Sequence, residues 1–150
     1  DRSVGDSFEL IRKRILQRAR EPEALAREVL AMRERILGAH PNRSGLFDLK
    51  HDRGGMIDIE FAVQYLVLAF SNEFASLTKN LGNIALLGMA ADLALVDRDV
   101  SGKCRNAYRE FRRLQHALRL NGAQYARVPP QQVSDYRGAV LELWRTVMSP

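Results

Sequence analysis

One segment dominates what this chain can become. Residues 56–71 read MIDIEFAVQYLVLAFS. Ile57, Ile59, Phe61, Val63, Tyr65, Leu66, Val67, Leu68 and Phe70 cover nearly the whole circumference of a helix built on that segment. The β-branched residues would also suit a strand, but the length favours helix. A helix that is apolar all round has to be enclosed by amphipathic neighbours, so this one is expected at the centre of the fold.

The rest of the chain supplies such neighbours. Gly5–Arg20 reads as a first helix, capped by Asp6 or Ser7, with Phe8, Ile11, Ile15 and Leu16 at three- and four-residue spacing. Pro22 suits the first turn of a second helix. Its apolar stripe is Leu25, Val29, Met32 and Ile36, and its stop is Gly38. These two helices are expected to form a hairpin, a single bent helix being the alternative. Asn72–Asn80 is a connector with room for a helical turn. Asn83–Leu95 is a helix of small and medium apolar residues, where Ala85, Gly88, Ala90 and Ala91 permit a close crossing. A long helix runs from Val100 to Asn121, with Cys104, Ala107, Tyr108, Phe111, Leu114, Gln115, Leu118 and Leu120 inward and Asn121–Gly122 as terminator. After an extended linker fixed by Pro129–Pro130, a last helix starts at Ser134 or Asp135 and carries Leu141, Leu143, Trp144 and Val147. No strand pair stands out. The expectation is an all-α, irregular bundle of five or six helices with no significant sheet, residues 1–150 forming one helical domain.

Composition narrows the function classes. Of 150 residues, 46% are hydrophobic, which is enough for a core. Lys+Arg is 23 against Asp+Glu 18, a net charge of +5, but the signs are mixed, as in Arg109–Glu110–Arg112–Arg113. Such mixing marks a solvated helix face more than a nucleic-acid patch, and no recognition motif accompanies it. One Cys excludes an internal disulfide framework and a four-Cys zinc site, and three His exclude a dense imidazole centre. The longest apolar run, around Ala62–Phe70, is interrupted by Gln64 and is too short to span a bilayer. The polar start DRSVGDSFELIRKR is not that of a secretory leader. Because it begins at Asp1 rather than Met, the chain is expected to be a piece of a longer protein. There is no phosphate-binding GxxxxGK[ST] loop and no strand-borne pair of carboxylates of the kind that holds Mg²⁺ and a nucleoside triphosphate.

The densest functional candidate is KHDRGGMIDIEF, residues 50–61. Gly54–Gly55 permits a tight turn and a close approach. The helix start that follows offers amide N–H groups to an anion, with Lys50, His51 and Arg53 beside it. Asp58 and Glu60 are two apart and point in different directions, so they are no ready-made metal pair; Glu60 and Gln64 are four apart on an otherwise apolar helix. Two readings stand side by side. In one, these groups line a polar cleft or brace the loop from within. In the other, Asp58 stabilises the helix start, Glu60 pairs with a buried Arg from the first or fifth helix, and the glycines only turn the chain. No catalytic residue and no metal ligand is assigned: His116 suits a hydrogen-bonding role, Cys104 packs, and Ser71, Ser76 and Ser134 lack an elbow motif. Arg109, Arg112, Arg113 and Arg119 form a candidate protein-docking face.

LFDLKHDRGGMIDIEFAVQYLVL, residues 46–68, closely resembles a segment of the glutamine synthetase adenylyltransferases. FELIRKRIL, REVLAMRERI and AYREFRRLQHALRL resemble flanking helices of that family, so the likeness covers most of the chain. The resemblance implies a cytoplasmic, multidomain, bifunctional enzyme of nitrogen control. One half transfers AMP from ATP to a tyrosine of glutamine synthetase, the other removes it, and glutamine and the signal protein PII set the balance. This chain then corresponds to the helical C-terminal domain that follows a nucleotidyltransferase domain, and DIEF after KHDRGG resembles the adenylylating half. Mg²⁺ and ATP are implied for the whole enzyme and no cofactor for this domain. The implied partners are the upstream nucleotidyltransferase domain, glutamine synthetase and PII, with no membrane. Lys50, Gly54, Gly55, Asp58 and Glu60 are carried over from the resemblance, and with Arg53 and Gln64 they make the expected nucleotide-cleft or interdomain motif. The leading expectation is a helical accessory and regulatory domain; the alternative is a docking module for PII or glutamine synthetase with no role at the nucleotide cleft.

Overall fold

The computed structural model describes residues 2–149. Six α-helices follow one another: α1 (Arg2–Leu16), α2 (Pro22–Ala39), α3 (Met56–Phe70), α4 (Asn83–Asp92), α5 (Arg98–Leu120) and α6 (Ser134–Val147). Short 3₁₀ turns occupy Ala75–Thr78 and Pro130–Val133. The all-helical expectation holds, with one addition. Two-residue strands β1 (Phe47–Asp48) and β2 (Arg127–Val128) pair antiparallel, with Phe47 opposite Val128 and Asp48 opposite Arg127. β1 lies within residues 46–50, whose alternation suits an extended course, but its pairing with so short and distant a strand is not visible in a sequence.

α3 is the centre, as its composition requires. Eight of its residues, from Met56 to Leu66, are buried, and α2, α4, α5 and α6 pack around it. α5 answers with Val100, Ser101, Cys104, Ala107, Tyr108, Phe111 and Leu114, an inward stripe at helical spacing. Asp97 caps α5 by accepting the N–H groups of Asp99 and Val100 at 3.1 Å each. α4 crosses α5 closely, and Ser101 donates its hydroxyl to the Leu87 carbonyl at 2.8 Å. α6 closes the core with Ala139, Val140, Leu143 and Val147.

Several local expectations change. Leu120 (73% exposed) and Leu141 lie outside. On α2 the inward position falls on Arg33, while Met32 is exposed and the helix continues through Gly38 to Ala39. α1 starts earlier than expected, so Asp6 and Ser7 lie inside the helix rather than capping it. None of its described residues is buried, and Phe8, Ile11 and Ile15 are exposed, so no sealed hairpin with α2 forms. Polar contacts tie down this end of the chain: Arg12 donates to the Thr78 carbonyl, Arg20 to the Leu68 carbonyl, and Asn72 to the Gln17 carbonyl.

Candidate functional site

The glycine-containing segment is bolted to the bundle from several sides. Asp58, in the first turn of α3, is 3% exposed and spends both oxygens. Oδ1 accepts from Arg33 Nε at 2.5 Å, and Oδ2 accepts the Gly54 N–H at 2.7 Å. Arg33, on α2, is 1% exposed and donates a second bond to the His51 carbonyl at 2.7 Å. One buried ion pair therefore joins α2, the loop and α3. The amides before and within the first turn are also used: Gly55 N–H goes to Asp52 O, Met56 N–H to Leu49 O and Ile57 N–H to Lys50 O, at 2.8–3.1 Å. The start of α3 is thus closed to an anion, contrary to the expectation of open amides there.

Both glycines are required by space. Gly54 has φ +85, and a Cβ there would come within 2.6 Å of Arg137 Cγ and 3.2 Å of Leu141 Cγ on α6. A Cβ on Gly55 would meet the Leu49 and Asp52 carbonyl oxygens at 2.7 and 2.9 Å. The close approach expected from the sequence is made, and its object is the chain's own backbone and α6.

The other motif residues separate into two groups. Lys50 and Arg53 are exposed; Arg53 pairs with Glu34 at 2.6 Å, and its carbonyl accepts from Arg137 Nε at 2.9 Å. Glu60 is half-buried and accepts from the Tyr108 hydroxyl at 3.4 Å. Burial raises its pKa above the usual carboxylate value against the opposing charges of Lys50 and Arg112. A buried arginine is indeed present, but it comes from the second helix and its partner is Asp58. Gln64 is exposed and lines a groove with Arg12 and Lys79, so it does not brace the loop from within.

Asp48 organises the opposite side of the segment. Its Oδ1 takes the Lys50 and His51 N–H groups at 3.0 and 2.8 Å, and Oδ2 takes Arg127 Nε at 3.3 Å. Burial pushes the Asp48 carboxyl up, but those amides, His51 and Arg127 outweigh it and hold it below its ordinary value. Burial pulls the His51 imidazole down, despite Asp48 beside it. His51 stacks on His40 at 3.9 Å, and Arg127 lies 3.9 Å over the Tyr125 ring. Sequence reasoning missed Arg33, Asp48, Arg127 and Tyr125. Arg33 was findable, because it follows Ala26 and Val29 in helical phase where an apolar residue belongs.

The docking arginines are brought together. Arg109, Arg112, Arg113, His116 and Arg119 share one face of α5 around a shallow depression that also includes Ile84. Arg113 pairs with Glu110 on the same helix, and Arg112 lies 5.7 Å over the Tyr108 ring. Among the described residues no group of three His, Cys, Asp or Glu side chains is placed to hold a metal. Asp48, Asp52 and Asp58 are engaged in the loop's own bonds, Asp52 taking the Asp48 N–H and the Asn42 amide at 2.9 Å each. This donor set does not fit Mg²⁺–ATP. Among the described residues no helix is long and apolar enough to cross a membrane.

Comparison with known proteins agrees in direction. The family described as GlnD PII-uridylyltransferase matches residues 23–142. Curated relatives are named bifunctional glutamine synthetase adenylyltransferase/adenylyl-removing enzyme. The protein of Bordetella bronchiseptica is 51% identical over 148 residues, 99% of this chain and 16% of the relative. That of Nitrosomonas eutropha is 46% identical over 161 residues, covering 98% and 17%. That of Burkholderia pseudomallei is 47% identical over 147 residues, covering 98% and 16%. The chain therefore spans about one sixth of the length of the relatives it matches.

Proposed function

The chain belongs to the GlnD PII-uridylyltransferase family, on the side of the bifunctional glutamine synthetase adenylyltransferase/adenylyl-removing enzymes, and from that premise we propose that it is a helical docking domain of such an enzyme. In this reading the AMP transfer and removal that use Mg²⁺ and ATP belong to a nucleotidyltransferase domain of the same protein. This domain receives glutamine synthetase or the signal protein PII. The observation that carries the reading is a contrast in exposure. The motif loop is spent on internal bonds, whereas Arg109, Arg112, Arg113 and Arg119 stand exposed in one stripe on α5. A positive stripe of this kind steers an acidic protein surface and sets orientation more than raw affinity.

The test is binding of glutamine synthetase and of PII to the immobilised chain, with and without glutamine, over a salt series. The reading expects at least one partner to bind, to weaken as salt rises, and to be lost in Arg112→Glu/Arg113→Glu. Absence of binding to both partners under every effector condition contradicts it. The alternative, a direct role at the nucleotide cleft, has one observation in its favour: Lys50 and Arg53 remain at the surface beside the buried motif. It expects the same binding to survive the α5 substitutions, and Lys50→Gln to impair AMP transfer in the full-length enzyme instead.

A further inference from the structure

A second polar cavity lies between the loop and the chain's β2 side. It has a volume of about 470 Å³, within the range of small-molecule sites. Its walls come from four separate places in the sequence: the end of α2 at His40, β1 and the turn after it, the C-terminal part of α5, and the segment leading into β2. Lys50, Arg119 and Arg127 converge on it, with Asp48 the only carboxylate in its lining. That carboxylate is already engaged by the amides of Lys50 and His51 and by Arg127. The β1–β2 register, which sets Asp48 opposite Arg127, fixes the guanidinium in place.

The remaining cations are held by no direct contact, Glu60 acting on Lys50 through charge alone. Among the described residues neither the Lys50 ammonium nor the Arg119 guanidinium has a hydrogen-bond or ion-pair partner. Three cations around one spent carboxylate leave an excess of positive charge, the complement of a dianion. The Tyr125 ring and the His40–His51 stack line the same walls. Two guanidinium groups, Arg127 on the β-ladder and Arg119 on α5, and the Lys50 ammonium on the turn after β1 are the donors that phosphate oxygens favour.

We propose that this cavity binds a small phosphate-bearing ligand, its phosphate held by Lys50, Arg119 and Arg127. It shares Arg119 with the α5 stripe, but Lys50 and Arg127 lie off that stripe, so Lys50→Gln tests the cavity apart from the docking reading.

The experiment titrates the chain in chloride buffer with inorganic phosphate, with AMP and with succinate, following the Tyr125 and His51 NMR signals. Saturable shifts with phosphate or AMP are expected, each weakened about tenfold or more by Lys50→Gln and by Arg119→Gln. Arg113→Gln, on the other part of α5, is expected to leave them unchanged. AMP binding more tightly than phosphate supports the site and assigns a nucleotide as the source; equal affinities support it and assign the phosphate group alone. The proposal is overturned by an absence of saturable shifts, by shifts indifferent to Lys50→Gln and Arg119→Gln, or by succinate binding as tightly as phosphate. Lys50 and Arg119 are exposed and their side chains make no hydrogen bond or ion pair, so their variants fold and the outcome is readable.

Discussion

Replacing Asp58 by Ala should be among the most damaging single changes in this chain. Arg33 and Asp58 are 1% and 3% exposed and 2.5 Å apart. Removing the carboxylate leaves the guanidinium charged and dry, for which the ordinary cost is about 3–5 kcal/mol. It also orphans the Gly54 N–H, which donates to Asp58 Oδ2 at 2.7 Å. For a domain of this length each kcal/mol shifts the melting temperature by about 2–4 °C, so a fall of roughly 10 °C is expected. The control is an exposed pair of nearly the same length: Arg53 and Glu34, 2.6 Å apart and 51% and 60% exposed. Glu34→Ala should cost less than about 1 kcal/mol, because water screens and replaces that contact. Urea melts followed by circular dichroism give both numbers. If Asp58→Ala and Glu34→Ala cost the same, the argument from burial is wrong.

Three further outcomes follow from the same geometry. Gly54→Ala should destabilise by at least about 1–2 kcal/mol from its left-handed backbone alone, and more because of Arg137. Gly45→Ala has φ +79 but open space around it, so urea melts should show the smaller loss there. The Asp48 carboxyl is held below its unfolded value of about 3.9. Its contribution is therefore present above that pH and lost as the pH falls through the folded value. Asp48→Asn should flatten the acid limb of stability against pH. The Cys104 thiol, pushed up to about 12 by burial, should be inert to a thiol reagent at neutral pH until the chain unfolds. Prompt reaction in native buffer would place it outside the core.

The central helix was legible because nine large apolar side chains leave α3 no polar face, and the inward stripe of α5 was legible because its spacing stays regular to Leu114. What failed were questions of partner and phase. α1 has a clear apolar period, yet Phe8, Ile11 and Ile15 face outward, because periodicity states which face is apolar but not what covers it. On α2 a shift of one residue moves the inward position from Met32 to Arg33, and hydrophobicity alone favours the wrong one. The candidate loop was found from its glycines and charges. Whether those charges meet a ligand or each other depends on Arg33, Asp48 and Arg127, which lie up to 79 positions away from their partners in the sequence. The α5 arginines were grouped correctly because helical spacing alone fixes which side chains share a face.

The Gly54–Gly55 turn of the motif loop is built into the fold through Asp58 and Arg33, not held open. Hydrogen exchange at the Gly54 amide tests this most directly, since its partner is the buried Asp58 carboxylate. The expected result is exchange as slow as the amides in the middle of α3, governed by unfolding of the whole domain. Exchange at the rate of an exposed loop, with α3 still protected, would contradict it.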